Sequence, residues 1–135
     1  MRFLHLGLLG CLALIAVPAH AEIRQEVLLE AERAWEGSEW TYLPAPPQVT
    51  LLRLHIPPYT TLGWHQHPML NVAFVEHGSI TVERRVDGLQ QHFSQGEAVA
   101  EAMNVPHRGH TGPDGARLLV FYAGSPGVPL VIPDE

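Results

Sequence analysis

Short apolar runs separated by turn residues follow one another from residue 49 to near the end of the chain. The runs have strand length and often alternate apolar with polar positions. No long helical pattern lies between them. The pattern predicts an all-β fold, a small antiparallel β-barrel or jelly roll, with strands at residues 49–56, 62–67, 71–76, 79–86, 89–93, 97–101, 105–109 and 116–123.

The breaks between these runs consist of turn-forming residues. Pro57-Pro58, His77-Gly78 and Gln95-Gly96 each separate two of the predicted strands. Asp87-Gly88 predicts a hairpin with a type I′ turn, in which both central residues have positive φ.

Residues 22–48 do not have a clear period. Their apolar positions fit a helix and a strand about equally well, and the segment ends in Pro44-Ala45-Pro46-Pro47. We therefore divide the chain into a signal peptide (1–21), an N-terminal arm (22–48), a β-barrel domain (49–130) and a C-terminal tail (131–135).

The first 21 residues have the features of a cleavable export signal. A positive start precedes an apolar run, and Ala19-His20-Ala21 has the small-x-small pattern of a cleavage site. The run is too short for a stable membrane span of about 20 residues. Leu8-Leu9-Gly10-Cys11 resembles a lipobox, but the apolar run continues beyond Cys11, which disfavours a lipoprotein. We expect a periplasmic or secreted protein that starts at Glu22.

Charge and composition exclude several classes of function. The formal net charge is −6, and removing Arg2 with the signal peptide makes it −7, which disfavours nucleic-acid binding. The sequence has no lysine, so Schiff-base chemistry is excluded. Nine histidines are present, which draws attention to metal binding.

His65-x-His67 is the first candidate for a metal site. Side chains alternate along a strand, so these two imidazoles lie on one face and can reach the same ion. Alone, the pair also fits two half-exposed polar residues at a barrel rim.

The surroundings of this pair resemble the first cupin motif. Gly63-Trp64-His65-Gln66-His67-Pro68 is followed by Asn71 and Gly78 at the motif's spacing. Asn71 stands where the motif has Glu, and Tyr59 stands where it has its leading Gly.

Residues 96–111 have the spacing of the second cupin motif, with Gly96 and His107 at matching positions. Ala102, Asn104 and Thr111 replace the motif's Pro, Gly and Asn. Asn is a mild replacement for Gly, because it tolerates left-handed backbone better than other residues. The resemblance covers about residues 49–130 and extends to small exported cupins.

The resemblance implies one divalent transition metal on His65, His67 and His107. Three neutral imidazoles suit Fe, Mn, Zn, Ni, Co or Cu, and the sequence does not choose among them. Asn71 could coordinate through its carbonyl oxygen, or hydrogen-bond to a bound water or substrate.

Glu101 is the candidate catalytic acid or base. Glu97, Val99, Glu101 and Met103 share one face by alternation, and this face places Glu101 near the ion if it lines the barrel. Glu101 could then be a fourth ligand, orient a histidine, or act as a general base. The alternative is a solvated acid at the rim.

The alternation of side chains along each strand also predicts the directions of neighbouring residues. Arg108 and His110 point away from the ligand face, and His55, His77 and His92 lie next to turns. Trp64 is expected to pack against the arm or a partner, and the default place of Met69, Met103, Phe121 and Tyr122 is the core.

Two functions remain open at this point. The first is a metal-dependent enzyme, of oxygenase, isomerase or lyase type, acting on a small polar molecule. The alternative is a non-catalytic module that binds a metal or a small ligand, and a structural cupin without metal is disfavoured by the three histidines. A homodimer is expected if the arm covers an open sheet edge of a partner.

Overall fold

The computed structural model describes residues 23–135, and the predicted signal peptide lies outside the described residues. No helix in this part of the chain is long and apolar enough to span a membrane. The elements are β1 (Gln48–Ile56), β2 (His65–Gln66), β3 (Asn71–Arg84), β4 (Gln90–Ser94), β5 (Ala98–Ala100), β6 (His107–His110), β7 (Ala116–Gly124) and β8 (Ile132–Pro133).

The strands form one curled antiparallel sheet, which confirms the predicted all-β class. Its order is β1-β7-β3-β6-β2-β8, and β4 and β5 also pair with β3. The first half of β3 pairs with β7 and β5, and the second half pairs with β6 and β4. The two halves of the fold therefore share one strand, and the sheet curls around an interior.

Alternating residues of the long strands fill this interior. Leu118 and Val120 of β7 lie in register with Leu54 and Leu52 of β1, so these four side chains share the inner face. The neighbouring positions of β1 and β7 point outward, and Leu51 and Phe121 are paired there and exposed. The core cluster consists of Ile56, Met69, Ala73, Val75, Ile80, Val82, Phe93, Val99, Ala116, Leu118, Val120 and Tyr122.

The two strands predicted at 71–76 and 79–86 are one strand in the structure. His77-Gly78 does not break it, because an irregularity between Val75 and His77 absorbs the change of direction. Gly78 has φ +72°, and a Cβ there would lie 2.1 Å from the Gly115 carbonyl oxygen. This glycine permits the close approach of two chain segments, and any side chain at this position would force them apart.

The predicted hairpin at Asp87-Gly88 is present, but its predicted type I′ turn is wrong. Five residues, 85–89, connect β3 to β4, and of the two central residues only Gly88 has positive φ. The Gly88 N–H donates to the Arg84 carbonyl, and the Asp87 carboxylate pairs with the Arg84 guanidinium. These side-chain and backbone contacts favour the longer loop over a two-residue turn.

The two ends of the described chain both pack on the barrel. Ile132–Pro133, within the predicted C-terminal tail, forms β8 and pairs with β2. The arm contains no helix or named strand between residues 23 and 47. Instead, the Trp35 N–H donates to the Ala100 carbonyl and the Trp40 indole N–H donates to the Glu101 carbonyl, each at 2.8 Å. The arm thus holds the segment that carries Glu101.

Between residues 23 and 135, two non-glycine residues have left-handed backbone, and both stand where the cupin motifs have glycine. Tyr59 has φ 52° and Asn104 has φ 57°. Asn104 fits the expectation of a mild replacement, whereas Tyr59 has no such tolerance. Tyr59 is 78% exposed, so its side chain makes few contacts that offset the strain.

We predict that Tyr59→Gly stabilises the protein. The substitution removes backbone strain of about 1–2 kcal/mol, part of which is offset by the greater freedom of glycine in the unfolded chain. The free energy of unfolding in urea should rise by about 0.5–1 kcal/mol. Asn104→Gly is the control and should change it by a few tenths at most. A Tyr59→Gly variant less stable than the parent would show that the tyrosine side chain contributes more than its backbone costs.

Candidate metal centre

Three histidines from two parts of the chain meet inside the curled sheet. His65 of β2 is directly opposite His107 of β6 in the strand register. His67 follows β2 and lies beside Met103 in an isolated bridge. The ring centroids are 4.7–5.1 Å apart, and one ligand nitrogen from each ring lies within 4.8 Å of the others. One ion can therefore contact all three.

A backbone bond at Asn104 connects the two parts of the site. The Asn104 N–H donates to the His67 carbonyl at 2.8 Å. The left-handed backbone of Asn104 turns the chain between Glu101 and His107. This loop therefore holds both of these side chains against the segment that carries His67.

Each imidazole is oriented by a backbone carbonyl. The Nδ1 atoms of His65, His67 and His107 lie 2.8, 2.8 and 2.7 Å from the carbonyl oxygens of Gly63, Leu130 and Val105. A carbonyl only accepts, so Nδ1 carries the proton in each ring and Nε2 keeps a free lone pair. This is the tautomer that a metal-binding histidine requires when Nε2 is the ligand.

Burial keeps the three rings neutral near pH 7. It lowers the pKa of His67 from 6.5 to about 4, and it also lowers the pKa values of His65 and His107. The backbone carbonyls act in the opposite direction but do not compensate the loss of water. The rings therefore present lone pairs without first losing a proton.

Two further polar side chains lie at the same place without hydrogen-bond partners among the described residues. Asn71 is 0% exposed, and both atoms of its amide lack a partner. The Glu101 Oε2 and His107 Nε2 atoms are likewise unpartnered and lie 3.4 Å apart. Unpaired buried polar groups are destabilising in a protein interior. Their convergence indicates that this cluster is built to bind a ligand or ion.

The Glu101 carboxyl has an unusual pKa. Burial raises it from 4.5 to about 7, the charge of His65 lowers it, and Glu36 of the arm raises it. Burial, followed by the charge of Glu101, raises the pKa of the neighbouring Tyr122 hydroxyl to about 12. Glu101 can thus hold or release a proton near neutral pH, whereas Tyr122 remains protonated.

A cavity of about 360 Å³ opens from this cluster. His65, His67, His107, Asn71, Glu101 and Tyr122 form its polar end. Most of the remaining lining is apolar and comes from the inner faces of both halves of the sheet. The volume is at the lower end of the range for small-ligand pockets.

The structure places the other predicted side chains as follows. Arg108 stacks on Trp64 with its guanidinium carbon 4.2 Å from the ring centroid, and Trp64 also borders the cavity. His110 is not part of the metal cluster. The default placement in the core is wrong for Phe121, which is 39% exposed on the outer face. Tyr122 is buried, as expected, and in addition lines the cavity.

The backbone carbonyls that orient the histidines could not be predicted from the sequence. The carbonyls of Gly63, Val105 and Leu130 belong to residues whose side chains carry no signal. Leu130 is 63 residues from His67, and Trp40 is 61 residues from Glu101. One feature of the sequence does indicate that Tyr122 faces the cavity: it alternates with Val120 and Leu118 on a predicted strand.

Comparison with known proteins gives similarity in structure only. The sequence matches no protein-family model and no curated protein. A cupin-like protein from Thermotoga maritima aligns with a TM-score of 0.54 and 17% identity over 64% of each chain. Together with the all-β sheet and the position of the histidines, this decides the family of folds. The chain has the cupin fold.

Other structural neighbours are enzymes by name. The DMSP lyase DddQ from Ruegeria pomeroyi DSS-3 has a TM-score of 0.56 and 18% identity, covering 72% of this chain and 46% of the lyase. The polyketide cyclase RemF from Streptomyces resistomycificus has a TM-score of 0.53 and 24% identity, covering 72% and 71%. This chain therefore spans less than half the length of the lyase that it resembles.

We predict that the buried histidines and the buried Glu101 change the stability of the metal-free protein in opposite directions as the pH rises. Histidines with lowered pKa values stabilise the fold above pH 6.5, and this stability is lost as the pH falls towards 4. Glu101, with a raised pKa, favours the fold below pH 4.5, and this contribution is lost as the pH rises through 7.

Glu101→Gln isolates the second effect. In a chelating buffer, the substitution should raise the free energy of unfolding at pH 8 by on the order of 2 kcal/mol and change it little at pH 5. Urea unfolding at both pH values measures this difference. Glu30→Gln, at an exposed position of the arm, is the control. An effect of Glu101→Gln that is equal at pH 5 and pH 8 would contradict the buried, protonated state of the carboxyl.

Proposed function

We propose that this cupin binds one divalent transition-metal ion through His65, His67 and His107 and acts as an enzyme on a small molecule. The observation that carries the proposal is the set of three Nδ1–H bonds to backbone carbonyls, which leaves the Nε2 lone pairs of three clustered rings free to bind an ion, with His67 and His107 buried and His65 half-buried. When bound, such an ion supplies Lewis acidity and open coordination positions for a ligand.

Glu101 is the proton donor or acceptor in this proposal. It is the one carboxyl side chain among the residues that line the cavity, and its Oε2 atom lies 3.4 Å from Nε2 of His107, within reach of a molecule bound at the histidines. Its Oε2 atom has no partner of its own. A carboxyl group that faces the cavity beside the histidines can exchange a proton with a bound molecule, which favours an oxygenase, isomerase or lyase over a sensor.

Asn71 presents an uncharged side-chain amide beside the three imidazoles. Both polar atoms of its buried amide are free among the described residues. It fits a role as a weak ligand through its carbonyl oxygen or as a hydrogen-bond partner of a bound molecule. In either case it adds no negative charge to the cluster.

The test of the metal site is elemental analysis of the purified protein and its variants. The parent should contain about one equivalent of transition metal, whereas His65→Ala and His107→Ala should retain about a tenth of that or less. His110→Ala is the matched control, since it lies on the same strand as His107 and outside the cluster. A parent that takes up no Zn, Mn or Fe would refute the metal site.

Glu101→Gln in the same experiment separates metal binding from catalysis. We expect it to retain the metal and to lose turnover of any substrate that the parent converts. Unchanged turnover would eliminate Glu101 as the proton-transfer group. Loss of the metal would instead make Glu101 a ligand.

We propose export to the periplasm or medium, for which mass spectrometry should find Glu22 as the first residue of the mature protein.

We also propose a homodimer through β1, an edge strand whose outward Val49 and Leu51 are 64% and 61% exposed. Light scattering should show a dimer in the parent and a monomer in Leu51→Glu.

A further inference from the structure

The cavity of the candidate metal centre is polar at one end only. His65, His67, His107, Asn71, Glu101 and Tyr122 are gathered there, and the walls beyond them are apolar. The apolar walls come from both halves of the sheet and include Leu54, Ile80, Val82, Leu118, Val120 and Val131. A ligand that fills this cavity meets polar groups with one end and hydrocarbon with the rest.

Leu54 and Val131 show that the apolar wall is accessible. Leu54 lies in register with the buried Leu118, so it belongs to the inner face of the sheet, yet it is 38% exposed. Val131, from the segment before β8, is 44% exposed and borders the same cavity. The inner face of the sheet is therefore open to a ligand at this point, where it would otherwise be covered by core.

Among the described residues, no arginine lines the cavity. Arg84 is the nearest candidate by register, because it is paired with His107. Its guanidinium, however, binds the Asp87 carboxylate and the Glu36 carbonyl. Arg108 is held by Glu83 and stacks on the Trp64 ring. A carboxylate or phosphate directed at the apolar wall, away from the histidines, would find no arginine inside.

We infer that the site takes a mainly apolar small molecule, with one polar, metal-binding group directed to the histidines, Asn71 and Glu101 and no charged group along the apolar wall. This inference rests on the proposed function for the location of the site and specifies its ligand. It differs from the small polar molecule expected from the sequence. A charged group against the apolar wall would lose its hydration without gaining a partner, and the apolar walls favour an apolar body that leaves water.

The test uses zinc-loaded protein and hydroxamic acids that share one metal-binding head. By calorimetry, benzohydroxamic acid should bind about 10-fold or more tightly than acetohydroxamic acid, because the ring is removed from water. The analogue 3-carboxybenzohydroxamic acid should bind about 10-fold or more weakly than benzohydroxamic acid. Equal or tighter binding of the carboxylated analogue would overturn the inference and leave the metal site intact.

Leu54→Arg supplies the missing cation at the inner face. It should strengthen binding of the carboxylated analogue about 10-fold and weaken binding of benzohydroxamic acid. His55→Arg is the matched control, since it introduces a cation at the adjacent position on the outer face and should change neither affinity. Equal effects of both variants would indicate long-range attraction and contradict the assignment of the inner wall.

A metal titration before these measurements separates the two proposals. If zinc does not bind, the proposed metal site fails, and the ligand class is tested on metal-free protein with 3-methylbenzamide and 3-methylbenzoate. Nuclear magnetic resonance should then show shifts of the Leu54 and Val120 methyl groups with the amide and not with the carboxylate at equal concentration. The reverse preference, or no shift with either probe, would refute the inference.

Discussion

Strand β3 is the element on which the rest of the fold depends, because four other strands pair with it. Its first half pairs with β7 and β5, and its second half pairs with β6 and β4. A continuous flat strand could not serve both halves of a curled sheet. The irregularity between Val75 and His77 and the left-handed Gly78 redirect it. The same strand begins with Asn71, so the element that closes the fold also places a polar group at the candidate metal centre.

Loss of water then determines the chemistry of this centre. The same burial lowers the pKa values of the three histidines and raises that of Glu101, because it disfavours the charged form of each group. The interior therefore holds neutral imidazoles and a carboxyl that is close to half-protonated at neutral pH. The backbone carbonyls of Gly63, Val105 and Leu130 fix the tautomers. A cation bound between the rings would stabilise the ionised form of Glu101.

The arm, which is distant from Glu101 in sequence, packs beside the site. Trp35 and Trp40 bind the backbone at Ala100 and Glu101, and Glu36 adds a negative charge near the carboxyl. The arm therefore packs on its own barrel, close to the acid that we assign to proton transfer. A segment whose sequence has no regular period therefore affects the pKa of Glu101.

The sequence by itself determined the strand class, most strand positions and the three histidines, because alternation and motif spacing are local properties. It also located the left-handed backbone at Asn104, since a motif glycine there implies positive φ. Only the tertiary structure decided that residues 71–84 are one strand, that β8 joins the sheet, and that Glu101 faces His107. It also revealed the carbonyls that fix the imidazoles and the apolar wall of the cavity. These features depend on contacts between segments tens of residues apart, and local side-chain patterns contain no record of such contacts.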